Sequence, residues 1–201
     1  EISFDKNQDG ELEWNVQCDF GTPVSGYCRE MKMNFSWTDF PYLNYAEFLQ
    51  EKIPVEKFNF VPETLKWTPV LIERDSEISE KLGFDFFIPT VKNDEKKLNV
   101  AELLDSASDF EIATSSNEKI RFVLLNGNIQ QALYYSSDGT LYAQAHFENN
   151  IPVLRTVDFD KDGIFEATEF YSVDSDKKMN FHSLEDERQI VKNLFGLPSE
   201  N

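Results

Sequence analysis

Residues 158–169, DFDKDGIFEATE, place Asp158, Asp160 and Asp162 at alternate positions, followed by Gly163, Glu166 and Glu169. Alternate carboxylates on a tightly curling chain can aim at one centre. A hard cation such as calcium takes roughly six to eight oxygens, which suits such a set. Glycine at the sixth place permits the sharp turn that brings the seventh carbonyl, that of Ile164, inward. Glu166 would bind directly or through water, and Glu169 would close the shell with both oxygens. Residues 5–13, DKNQDGELE, repeat the spacing with Asp5, Asn7, Asp9, Gly10 and Glu13, and put the Glu11 carbonyl at the seventh place. An ordinary solvated Asp/Gly turn has a similar composition. Repetition of the full spacing within one chain favours a cation, and Ca2+ is the expected cofactor.

The stretch 158–169 resembles the EF-hand loop, including the apolar Phe165 at its eighth place. Its flank departs from that family: FENNIPVLRTV at 147–157 has Asn-Asn, Pro152 and several β-branched residues where an entering helix would stand. The first loop departs too, with Val16 at the twelfth place. Both agree better on a shorter theme, D-x-[DN]-x-D-G-x-x-E, which is similar to the calcium-binding β-hairpin loops of FG-GAP and integrin propeller blades. That resemblance implies ligation by Asp158, Asp160, Asp162, the Ile164 carbonyl and Glu166, and by Asp5, Asn7, Asp9, the Glu11 carbonyl and Glu13. Residues 126–171, with YYSSDGTLYAQAHFENN, also resemble in texture the MORN-like β-meander repeats of bacterial envelope proteins. This second likeness implies a scaffold or interaction module and no chemistry.

The elements that must hold these loops read mainly as strands. Leu12, Trp14, Val16, Cys18 and Phe20 alternate with polar residues, the period of a half-buried strand. Gly21-Thr22-Pro23 turns the chain, and residues 24–35 return as one strand. That pairing would set Cys18 against Cys28 and predicts a disulfide. Residues 38–52 suggest a short helix from about Asn44, with Tyr45, Phe48 and Leu49 as its stripe. Residues 57–73 look extended, 76–83 helical and ended by Gly83, and 84–91 extended around Pro89. KNDEKK at 92–97 reads as a solvated loop. Asn99 caps a helix to about Asp109, with Val100, Leu103, Leu104 and Ala107 inward. From residue 118 five strand-length runs alternate with NG, SSDG, NN and DKDG turns, an antiparallel meander. Ser183 caps a last helix carrying Ile190, Val191, Leu194 and Phe195.

The expected fold is therefore mainly β: antiparallel hairpins and a meander, a few short helices and a C-terminal helix. Its segments are an N-terminal hairpin unit (1–40), a mixed middle (41–117), the meander (118–178) and the helix (179–201). Together they are read as one compact domain, expected to be a piece cut from a longer precursor or a mature protein after cleavage, because the sequence opens at Glu1 with a strand-like run.

The net charge of −18, from 37 acids against 19 bases, repels nucleic acid and anionic membrane, so neither is expected as a partner. No apolar run approaches the length of a membrane-spanning helix, so no membrane insertion is expected. Catalytic patterns are equally sparse. The two histidines, His146 and His182, read as structural or exposed, and no G-x-S-x-G, phosphate-cradling loop or zinc-spaced Cys/His cluster occurs. Acids are too abundant for a glycosidase pair to stand out. The reading is a calcium-binding, non-enzymatic structural or interaction module, its ions stapling Asp-rich hairpin turns. The alternatives are an EF-hand-type calcium switch and a glycan-active enzyme with structural calcium. Calcium loops with a disulfide point to an extracytoplasmic home, periplasmic, surface or secreted, and to a protein or cell-envelope component as partner.

Overall fold

The computed structural model describes residues 1–50, 53–90, 98–114 and 116–170. The expected C-terminal helix, with His182, and the loop at 92–97 lie outside the described residues. Twelve strands form one antiparallel sheet: β1 (Ile2–Phe4), β2 (Trp14–Asp19), β3 (Thr22–Cys28), β4 (Met33–Asp39), β5 (Tyr42–Gln50), β6 (Ile53–Phe60), β9 (Ala107–Ala113), β10 (Lys119–Leu125), β11 (Asn128–Tyr135), β12 (Leu141–Glu148), β13 (Ile151–Val157) and β14 (Ala167–Phe170). Each strand pairs with the next in this order, so the fold is mainly β and meandering, as its periodicity suggests. Between β6 and β9 the chain leaves the sheet to form a separate two-stranded pair, β7 (Leu71–Arg74) with β8 (Phe87–Thr90), and two helices, α1 (Ser76–Leu82) and α2 (Val100–Ser106).

The pleat sorts side chains onto two faces. One register line crosses the sheet through Ile2, Val16, Gly26, Phe35, Ala46, Phe58, Phe110, Phe122, Ala132, Ala145 and Arg155. From Phe35 to Arg155 every side chain on this line is buried. Phe110 stacks between Phe58 and Phe122 at 5.5 and 4.8 Å between ring centroids, offset packing that aromatic quadrupoles favour. Small residues alternate with large ones where space demands it. A Cβ on Gly26 would lie 2.6 Å from the Phe35 ring, so only glycine lets Phe35 cross β3.

The described part of the excursion, residues 61–90 and 98–106, covers this face. Trp67, 1% exposed, sits 5.0 Å from Phe35 and 5.7 Å from Trp14, and its carbonyl accepts the Trp37 indole N–H at 2.9 Å. Phe87 meets Phe40 at 4.9 Å, and Leu103 and Leu104 of α2 belong to the same core. The opposite face is polar. It carries Glu47, Lys57, Glu111 and Arg121 as successive cross-strand neighbours of alternating sign. Asp109 there binds Arg121 and takes the Asn59 amide at 2.8 Å.

Several local expectations need correction. Residues 42–50 are strand β5 and not a helix. A register shift between Phe48 and Leu49 makes two neighbouring apolar residues, which imitates a helical stripe. Residues 24–35 are not one strand, because the chain reverses at Arg29–Lys32 between β3 and β4. The first turn is Phe20-Gly21, and Pro23 is already in β3, opposite Cys18. Cys28 consequently pairs with Trp14, four positions along β2 from Cys18 and about 13 Å away at the strand rise. The expected Cys18–Cys28 disulfide does not form. Instead, the Cys28 sulfur accepts the Met31 N–H at 3.4 Å. The helix capped by Asn99 ends at Ser106, and Ala107 begins β9. Helix α1 matches expectation: Asp75 caps it and Gly83, at φ 75°, ends it.

Candidate metal centre

A meander alternates its connections between two edges of the sheet. One edge holds two-residue turns, 20–21, 40–41, 126–127 and 149–150. Both Asp-rich segments lie at the other, together with the turns at 29–32 and 136–140. Each is a nine-residue connection. Residues 5–13 join the paired Phe4 and Trp14 of β1 and β2, and residues 158–166 join the paired Val157 and Ala167 of β13 and β14. The flanking elements are strands on both sides, so the helix–loop–helix geometry of an EF-hand is not what holds Asp158–Glu166.

The two loops share one internal wiring. The second-place N–H donates to the ninth-place glutamate: Lys6 to Glu13 at 2.6 Å, Phe159 to Glu166 at 2.8 Å. The fifth-place N–H donates to the third-place side chain: Asp9 to Asn7 at 3.0 Å, Asp162 to Asp160 at 3.2 Å. The glycine N–H donates to the first-place aspartate: Gly10 to Asp5 at 2.9 Å, Gly163 to Asp158 at 2.8 Å. The seventh-place N–H donates to the fifth-place aspartate: Glu11 to Asp9 and Ile164 to Asp162, both at 2.8 Å. The left-handed positions coincide too, at Gln8 and Gly10 in one loop and Lys161 and Gly163 in the other. The glycines, at φ 88° and 94°, take a conformation that side chains rarely adopt.

This wiring gathers the acids. One oxygen each from Asp158, Asp160, Asp162 and Glu166 lies within 4.8 Å of the others, and the same holds for Asp5, Asp9 and Glu13. Asn7 stands at the third place of the first loop, and its amide N–H2 donates to Asp9 at 3.0 Å. The donors are all hard oxygens, with no thiol or imidazole, a set that fits calcium or magnesium better than zinc or copper. Asp158 is only 1% exposed, held at one oxygen by Gly163 and at the other by the Lys161 N–H at 2.6 Å. In the first loop the corresponding Asp5 Oδ1 is buried without a hydrogen-bond partner. Glu169 lies in β14, its backbone opposite Arg155, two residues past the pair that closes the loop.

Cationic side chains from the loop edge flank each set, and no spacing rule pointed to them. Arg29, in the turn beside the first loop, pairs with Glu11. Asp9 is held below its ordinary value first by the Glu11 N–H, then by the Asn7 amide and Arg29. Lys161 lies over the Tyr142 ring at 5.6 Å. Nearby Asp138, in the turn between β11 and β12, is lowered to about 2, chiefly by the Ser136 hydroxyl and the Thr140 N–H, with a smaller share from Lys161. Arg29 was hidden because its turn, Arg29-Glu30-Met31-Lys32, has none of the usual turn residues. His146 stands on the polar face of β12 opposite Gln131.

No family model matches the chain, and no curated protein and no solved structure matches it either.

Proposed function

We propose that this chain is a calcium-binding, non-enzymatic structural or interaction module of an extracytoplasmic protein, its ions stapling two hairpin loops. The observation that carries the reading is the shared wiring of residues 5–13 and 158–166, which holds an oxygen cage at the same place in two hairpins of dissimilar flanking sequence. In each cage the backbone N–H groups already orient the carboxylates, so a cation would meet a preformed shell and little ordering would remain to be done. The carboxylates repel one another until a cation sits between them, and binding therefore adds to folding stability by mass action. An extracytoplasmic setting supplies calcium at millimolar levels, within reach of a modest site. The partner is a protein or cell-envelope component, consistent with a polar sheet face and a net charge of −18.

Calorimetric titration with calcium tests this. Two bound ions are expected in the wild-type chain, one in Asp9→Ala and one in Asp162→Ala. Heat of dilution alone, in the wild type at millimolar calcium, would overturn the reading.

A further inference from the structure

The edge opposite the candidate metal loops carries a hydrophobic feature that the fold does not need. Three of its two-residue turns put positive φ at both central residues, the geometry that matches the twist of a hairpin. Two of them use asparagine first, in Asn126-Gly127 and Asn149-Asn150, as the left-handed region favours. The third, between β2 and β3, uses Phe20 at φ 44° before Gly21. Phe20 is the only aromatic residue at positive φ among the described residues, and it is 79% exposed. A bulky side chain in that region is strained, and here burial returns little. Among the described residues its one ring contact is Phe84, edge-on at 6.4 Å and itself 39% exposed. Leu82, 51% exposed, ends α1 two residues before Phe84. Chain segments from two separate parts of the fold thus place apolar side chains together in solvent. Gly21 closes that contact, since a Cβ there would lie 2.6 Å from the Asp85 carbonyl.

We infer that Phe20, Leu82 and Phe84 form a docking site for a basic, amphipathic protein segment. The apolar side chains supply the anchors, as exposed patches commonly do. The charge around them selects the partner. Asp19 adjoins Phe20 and Glu80 lies in the last turn of α1, both exposed, while the nearby cations Arg74 and Lys81 are engaged by Asp85 and Glu77. A second copy would bring the same acidic rim against this one, and an acidic partner would be repelled likewise. A strand-edge turn that breaks its own local preference, beside a matched apolar neighbour and under an acidic rim, is arranged for contact with lysine- or arginine-bearing apolar sequence. The inference stands apart from the calcium reading, because the patch lies on the other edge of the sheet.

The test uses the whole chain in chelator, so that the acidic loops on the far edge stay in one state. A labelled helical peptide of leucine and lysine is titrated by fluorescence anisotropy, with its leucine–glutamate counterpart as control. The lysine peptide is expected to bind and the glutamate peptide to stay unbound. Phe20→Asn keeps the charge and suits the turn. It is expected to weaken binding about tenfold or more while leaving the thermal midpoint unchanged or raised. Equal affinity in Phe20→Asn would show that net charge alone captures the peptide and would overturn the proposal. If the midpoint falls instead, Leu82→Ser decides: lost affinity supports the docking site, and retained affinity overturns it. A wild-type chain that ignores the peptide, or a concentration-dependent dimer abolished by Phe20→Asn in sedimentation velocity, would also overturn it.

Discussion

Asp5 and Asp158 perform the same task at opposite ends of the sheet: each accepts, through Oδ2, the N–H of the glycine five residues on, at 2.9 and 2.8 Å. They differ at the other oxygen. Asp158 Oδ1 takes the Lys161 N–H, whereas Asp5 Oδ1 is buried without a partner. The second loop is therefore braced by its own backbone, and the first leaves one buried oxygen to be satisfied. An unsatisfied buried acceptor is unfavourable, and a cation is one group that relieves it.

Asp158→Asn tests the bracing. An asparagine offers one acceptor where two N–H groups converge, so its amide N–H2 would face a second donor. In chelator the variant is expected to lose about 1–3 kcal/mol in urea unfolding. Asp162→Ala, at an exposed position, is expected to lose less than about 1 kcal/mol under the same conditions. Equal losses would show that burial of Asp158 does not matter to the loop.

The two cage glycines offer a matched pair. Neither Gly10 nor Gly163 has any atom within 4 Å of an added Cβ, so only backbone conformation opposes alanine. Gly10→Ala and Gly163→Ala should each cost about 1–2 kcal/mol, and by similar amounts. Chemical denaturation of both variants checks this. A loss confined to one loop would mean that the two turns are not equivalent.

Glu56 is an acid on the apolar side of the sheet, between Phe48 and Ile112 in the register line that continues to Ile120. Burial raises its carboxyl above the ordinary 4.5. A raised folded-state value means that the folded chain holds this proton more tightly than the unfolded chain does. The favourable contribution is present below the ordinary value and is lost as pH rises through the raised one. Glu56→Gln should therefore be more stable than the wild type at neutral pH, with the difference shrinking or reversing toward about pH 4. Denaturant midpoints across that range measure it, and a pH-independent difference would contradict the account.

The clustering of the loop acids was legible in the sequence because it is local. Nine consecutive residues make each loop, so spacing alone pointed to the acids that the loops gather, Asp5, Asp9 and Glu13 in one and Asp158, Asp160, Asp162 and Glu166 in the other. The meander from 118 was legible for a similar reason: its turns use Asn-Gly, Asp-Gly and Asn-Asn, which state their geometry. Elsewhere the local signal misled. The register shift at Phe48/Leu49 put helical spacing into a strand, and the Arg29–Lys32 turn used none of the residues that mark turns. That second miss propagated to the cysteines. Once β3 and β4 separate, Cys28 falls opposite Trp14, and the pairing with Cys18 is lost. Glu169 comes from the longer twelve-residue spacing, and the hairpin that forms here closes two residues earlier, at Ala167.

Calcium as a staple of both loops is tested most directly by the thermal midpoint of the whole chain with calcium and with chelator. Each ion at a hundredfold excess over its dissociation constant should add about 2.7 kcal/mol. For a chain of this size that corresponds to about 5–10 °C per occupied loop, so a rise of that order or larger is expected, roughly halved in Asp162→Ala. An identical midpoint in millimolar calcium and in chelator would contradict the account.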